Sequence, residues 1–315
     1  MSYGPNLSQG ISVFSGLRAQ RASGAKYDKQ LPSFFVVGPP RTGTTWLYEV
    51  LGPSTVLPSP TKETRFFDQH YRRGLDWYLA HFPASDEQRP MGEIAPTYFA
   101  SPSARERIAK LAPNAKVVCV FRDPVERVFS LYRLKRAYGM SRWAFDQAIL
   151  KDPELLESGR YATHLKAWLK AMGKEQVLVA VYEDLKRDPQ KYLNTITDFI
   201  GIARISLLDS QLRCINASEG LTHPRSYFLT RAATGMADWF KAVRMDRLLA
   251  AAKRKYLLKL FLRSGLGFES LSADRAEILY EIFRPEVEEL ESILQRDLSA
   301  WKSASAQARA VELAA

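Results

Sequence analysis

Three short apolar blocks punctuate the chain, and each gives way to a stretch whose apolar residues recur at helical spacing. SFFVVG (33–38) reads as a strand followed by a helix from about Thr44, and KVVCVFR (116–122) as a strand followed by a helix from about Pro124. QVLVAVYEDL (176–185) is the third strand, with a helix from about Pro189. Near-continuous β-branched strands separated by helices predict a parallel sheet covered on both faces, because a half-exposed strand would alternate apolar with polar residues. Ligands of such sheets bind beyond the carboxyl ends of the strands. The segments Pro39 to Thr45, Arg122 to Ser130 and Tyr182 to Asp184 are therefore expected to converge on one crevice.

Residues 1–32 are rich in Ser, Gly, Ala and basic side chains with little periodicity, which predicts a loosely ordered arm ahead of a domain at 33–302 and a tail at 303–315. No internal repeat is visible, and no window approaches the roughly 18 apolar residues of a membrane span. The first residues also lack the apolar block of a signal peptide. The two cysteines, Cys119 and Cys214, are too few for a disulfide framework, so a reducing, cytoplasmic setting is expected. A net charge of +11 admits nucleic acid, an anionic membrane or small polyanions as partners and does not choose among them.

The loop after the first strand narrows the choice. In FFVVGPPRTGTTWLYEV (34–50), Gly38 and Gly43 let the backbone turn tightly, and the amides of Thr42, Gly43, Thr44 and Thr45 open a helix, where unpaired N–H groups and the helix dipole favour an anion. The nucleotide-triphosphatase pattern G-x-x-x-x-G-K-[ST] is only partly matched: Thr44 stands at the lysine position and the cation, Arg41, lies inside the loop. The expected architecture is a three-layer, P-loop-like α/β fold with a central parallel sheet flanked by helices.

PPRTGTTWL resembles the 5′-phosphosulfate loop of the sulfotransferases that use 3′-phosphoadenosine 5′-phosphosulfate (PAPS), with Arg41 at their usual lysine position. VCVFRDPVERVFSLY resembles their 3′-phosphate segment, and VYEDLKRDPQKYLNTITDFIGI (181–202) and LYEIFRPEVEELESILQRDLSAW (279–301) extend the similarity. The resemblance implies sulfuryl transfer from PAPS, leaving adenosine 3′,5′-bisphosphate (PAP), without a metal. It also implies that Arg122 and Ser130 hold the 3′-phosphate, that Trp46 and Tyr182 wall the adenine, and that Arg225 and Ser226 belong to a late loop (216–229) closing over the cofactor. Trp46 and Tyr182 equally suit the core, and Arg122 equally suits a salt bridge to Asp123 or Glu126.

An acceptor must lose a proton as it attacks, so a base is required. SPTKETRFFDQHYRRGLDWYLAHFP (59–83) offers Glu63, Asp68 and His70. It resembles the K-E-x-H-F-F segment of heparan sulfate and related carbohydrate sulfotransferases, which implies Glu63 as base and Lys62 beside the transferring group; His70 remains the rival. Lys62 and Arg65 next to Glu63 predict a lowered pKa and an ionised carboxylate. Two departures put a heparan-like acceptor in doubt: Arg65 replaces the family's histidine, and Ile94 stands where those enzymes often carry lysine. Arg65, His70, Thr97 and Tyr98 are the candidate acceptor-side residues.

A basic amphipathic stretch at 240–265 suits a surface helix docked on the core, a lid over substrate or a peripheral contact with an anionic membrane. The last would favour a glycolipid acceptor over a small molecule or a soluble carbohydrate. A P-loop kinase would want the missing lysine and an Asp-based magnesium site, and a nucleic-acid module would not need the cradle, so no nucleic-acid partner is expected. A PAPS-binding protein without catalysis stays open, as does the oligomeric state.

Overall fold

The computed structural model describes residues 31–84, 89–213, 230–232, 267–268 and 270–304. Among them, four strands form one sheet: β1 (Phe34–Val36), β2 (Gly92–Ile94), β3 (Lys116–Phe121) and β4 (Val177–Val181), in the order β2-β1-β3-β4 with every neighbouring pair parallel. β2 was hidden in the sequence because three residues carry no readable period. The third expected strand ends early, since Tyr182–Arg187 is helical. Its last partner is Phe121, opposite Val181; beyond it β3 turns away at Arg122 and leaves nothing for a longer β4 to pair with.

The main helices are α1 (Thr44–Leu51), α2 (Pro102–Leu111), α3 (Pro124–Ala137), α4 (Tyr161–Met172), α5 (Tyr182–Arg187), α6 (Pro189–Ile200) and α7 (Ala273–Leu294). Successive strand residues point to opposite faces, and both faces are covered. Phe35, Val117, Cys119 and Phe121 pack with side chains from α2, α3, α4 and α7. Phe34, Val36, Val118 and Val120 pack with Trp46, Leu47 and Val50 of α1 and with Tyr192, Leu193 and Ile196 of α6. All eight strand side chains are fully buried, which is why these strands read as unbroken apolar runs.

Two Asp-Pro pairs start helices at the places the site needs them. Asp123 Oδ1 accepts from the amides of Val125 and Glu126 at 2.8 and 2.9 Å, and Asp188 caps α6 through the amide of Lys191. Pro124 and Pro189 follow at the first helical position, where proline's missing N–H costs nothing. Residues 1–30 of the expected arm, Cys214, the late-loop residues Arg225 and Ser226, the basic stretch 240–265 and residues 305–315 of the expected tail lie outside the described residues.

Gly92 is required by close packing: a Cβ there would lie 2.1 Å from Cζ of Phe34 on the paired strand. Gly92→Ala is expected to lower stability by about 1–3 kcal/mol, the usual cost of overpacking a core, read as a shift in the urea unfolding midpoint.

Candidate active site

The loop between β1 and α1 holds its shape through two left-handed backbone positions and a side-chain bond. Arg41 and Gly43 both adopt positive φ, 77° and 87°, and Thr42 closes the turn by donating its hydroxyl to the Pro39 carbonyl at 2.8 Å. Gly43 leaves no room for a side chain, because a Cβ would meet the Tyr182 ring at 3.0 Å. Thr42 and Thr44 are buried, while Thr45 is exposed at the start of α1. Trp46 is not an open aromatic wall: it is buried near Tyr192 and donates its indole N–H to the Gln211 carbonyl at 2.9 Å.

The end of β3 meets this loop. Arg41 donates Nε–H to Ser130 Oγ at 2.9 Å across 89 residues of sequence, so the loop and the Arg122–Ser130 segment share one crevice. Arg122 is forked onto Glu126, with Nε and Nη2 at 3.0 and 2.5 Å, and lies 4.9 Å over the Tyr182 ring. Burial pulls the Arg122 pKa down, but Glu126, together with Tyr182 and Glu183, outweighs it and leaves it raised. Arg41 is lowered, by burial first and then by repulsion from Arg122. Tyr182 is thus the floor under both Gly43 and Arg122.

The Lys62–Glu63 segment reaches the same loop from the β2 side. Lys62 Nζ donates to Thr45 Oγ1 at 3.3 Å and stands 3.7 Å from Glu63 Oε1. The expectation of a lowered Glu63 pKa is overturned: burial raises it and outweighs the pull of Lys62 and Arg65. Lys62 is lowered, again by burial first. Arg65, in the left-handed region at φ 53°, is occupied with Asp68 at 3.2 Å. His70 sits edge-on to Trp77 at 5.4 Å and is lowered by burial and Arg73. Thr97 is half-buried, its Oγ1 without a partner among the described residues. Tyr98 is no acceptor-side residue: it is fully buried, with its hydroxyl on Glu93 at 3.2 Å.

A family model described as the sulfotransferase domain matches residues 31–219, which takes in the loop, the Arg122–Ser130 segment and Glu63. The chain belongs to the sulfotransferase domain family. Among its relatives, the bifunctional heparan sulfate N-deacetylase/N-sulfotransferase 1 of Mus musculus is 28% identical over 278 residues, covering 75% of this chain and 31% of its own length. The corresponding enzyme 3 of Homo sapiens is 31% identical over 196 residues, covering 55% of this chain and 22% of its own. The chain thus spans about a third or less of the length of these curated relatives. The crystal structure of a sulfotransferase from Alicyclobacillus acidocaldarius shares the fold at a TM-score of 0.63 and 23% identity, over 86% of this chain and 99% of that one.

Sequence reasoning missed the buried carboxylates behind this sulfotransferase site. Glu93 on β2 accepts from Thr64, Tyr78 and Tyr98, and Asp123 accepts from Tyr280 at 3.0 Å besides capping α3. Glu183 accepts the Asp123 amide at 3.0 Å. An acidic residue inside or at the end of an apolar strand was the available signal, since such a residue survives burial only with partners.

Burial pushes Glu93 from an ordinary 4.5, and Asp123 from 3.8, up to about 7. The folded sulfotransferase domain keeps these protons across a range in which the unfolded chain has lost them. Their contribution to stability is therefore full below about pH 4 and lost as pH rises through about 7, with a slope of up to about 1.4 kcal/mol per pH unit for each group. Urea unfolding between pH 4 and 8 is expected to show this decline, flattened in Glu93→Gln.

Proposed function

We propose that this domain moves the sulfuryl group of PAPS to a hydroxyl or amine of an acceptor, with Glu63 as base. One observation carries the reading: Arg41 of the anion loop bonds Ser130 while Lys62, next to Glu63, bonds Thr45 of the same loop. Three cations of the crevice press on one another, Arg122 depressing Arg41 and Arg41 depressing Lys62, and a polyanion would relieve that repulsion. The donor set fits PAPS: the loop amides and Arg41 would hold its 5′ end, Arg122 and Ser130 its 3′-phosphate. When bound, PAPS supplies the sulfuryl group.

The chain's own part is positioning and electrostatics, which dominate transfers of this kind. Arg41 stays protonated and steadies the charge that gathers on the departing phosphate. Lys62, tied to Thr45, keeps a positive charge between the loop and the base. Glu63 takes the acceptor's proton, and its raised pKa makes it a stronger base than an ordinary carboxylate. A carbohydrate amine or hydroxyl is the acceptor class suggested by the N-sulfotransferase names of the relatives.

Calorimetric titration with PAP tests the cofactor half. Micromolar or tighter binding is expected for the wild type, weakened by about 2–4 kcal/mol in Arg122→Ala as a charged contact disappears; absence of wild-type binding would sink the reading. Transfer of labelled sulfate from PAPS to N-deacetylated heparosan oligosaccharides tests the chemistry. Glu63→Gln is expected to bind PAP normally and lose on the order of 10²–10⁴ in kcat. The wild-type rate should rise with pH through a pKa above the ordinary carboxylate range.

A further inference from the structure

We propose that Glu93 is a positioning residue for the base: from inside the sheet it fixes the backbone that carries Glu63, and it does so through Thr64. The proposal rests on the reading of Glu63 as base and adds a residue that never touches the reacting atoms.

The geometry is specific. Glu93 is the middle residue of β2, fully buried and opposite Phe35 of β1. Its Oε1 accepts both the Thr64 amide at 3.0 Å and the Thr64 hydroxyl at 2.7 Å, while Oε2 accepts the Tyr78 hydroxyl at 2.9 Å. The Tyr98 hydroxyl lies 3.2 Å from both oxygens. The Thr64 and Tyr98 hydroxyls in turn accept the amides of Phe66 and Phe67 at 3.1 and 3.3 Å. One carboxylate therefore secures the amides of residues 64, 66 and 67, directly or through one hydroxyl. The Thr64 amide belongs to the same peptide unit as the Glu63 carbonyl, so holding it holds the Glu63 backbone.

The loop needs holding at this point. Arg65 adopts φ 53°, a left-handed conformation that a side chain disfavours, and the bonded amides of Thr64 and Phe66 flank it on either side. Four groups converge on the two Glu93 oxygens, the amide and hydroxyl of Thr64 and the hydroxyls of Tyr78 and Tyr98, which no single-oxygen side chain could serve. A buried carboxylate is a costly way to stabilise a core, and apolar side chains of similar volume would fill the space more cheaply. What the carboxyl group supplies instead is direction: it sets how the segment from Glu63 to Phe67 runs against β2.

The test compares Glu93→Gln, Thr64→Val, Thr64→Ser and the double variant Glu63→Gln/Glu93→Gln. The assay is sulfate transfer from PAPS to N-deacetylated heparosan oligosaccharides, alongside PAP calorimetry and hydrogen exchange at the Thr64 amide. Glu93→Gln is expected to lower kcat by about 10- to 100-fold, the scale of a small misplacement of a catalytic group, with KM for PAPS and PAP affinity within about twofold of wild type. Thr64→Ser, which keeps the hydroxyl, should recover most of what Thr64→Val loses. On the Glu63→Gln background the Glu93 substitution should cost little more, because both act through one carboxylate. Faster exchange at the Thr64 amide is expected in Glu93→Gln and Thr64→Val whether or not transfer is detected.

Wild-type kcat in Glu93→Gln, a loss that adds fully to that of Glu63→Gln, or unchanged exchange at Thr64 would overturn the proposal. Should Glu93→Gln fail to fold, the Thr64 pair decides. Absent PAP binding and absent transfer in the wild type would sink the functional reading, and the exchange measurement would still judge whether Glu93 holds the loop.

Discussion

Parallel pairing of β1 with β3, in the register Phe34↔Lys116 through Val36↔Val118, sets what the rest of the molecule can do. Two parallel neighbours release their chains on the same side of the sheet, about 4.8 Å apart. That is why Arg41, five residues beyond Val36, finds Ser130 within hydrogen-bond reach. An antiparallel pair would have sent the loop and the Arg122 segment to opposite ends. The order of the strands then becomes the order of the site. β2 holds Thr64, next to Glu63, through Glu93; β1 opens into the Arg41 loop, β3 ends in Arg122, and β4 runs into Tyr182 beneath them both.

The same burial that shapes the crevice sets its charges. Arg41, Lys62 and Glu63 are all displaced from their ordinary pKa toward neutrality, and for each the leading cause is loss of water rather than a neighbour. Arg122 alone of the four goes the other way, because Glu126 grips its fork directly. A site tuned by desolvation responds to whatever enters it: an anion that fills the crevice restores to the cations the partner that water no longer provides.

The parts legible in the sequence are those whose signal is local. The strand runs at 34–36 and 116–121, the start of the third strand at 177 and the helix starts at Thr44, Pro124 and Pro189 each rest on a few consecutive residues and were found close to their true places, while the end of the third strand was set four residues too far. What the sequence hid depends on depth or on distance along the chain. Glu63 next to Lys62 and Arg65 looked like a carboxylate held down by cations, because adjacency is visible and burial is not. Glu93 was passed over although its neighbours Ile94, Thr97 and Tyr98 were weighed, since its meaning lies in Thr64 and Tyr78 across the sheet. Trp46 and Tyr98 drew attention as aromatic residues near a motif, and both serve the core.

The shape of β2 has one more consequence. It closes one side of the described sheet with only three paired residues, has Val56 bridged to Met91 just before them, and is followed within two residues by Pro96. A row of free strand amides and carbonyls invites pairing with another chain, and short, covered or proline-ended borders discourage it. The strand that carries the buried carboxylate is thus also a poor template for a neighbour's backbone.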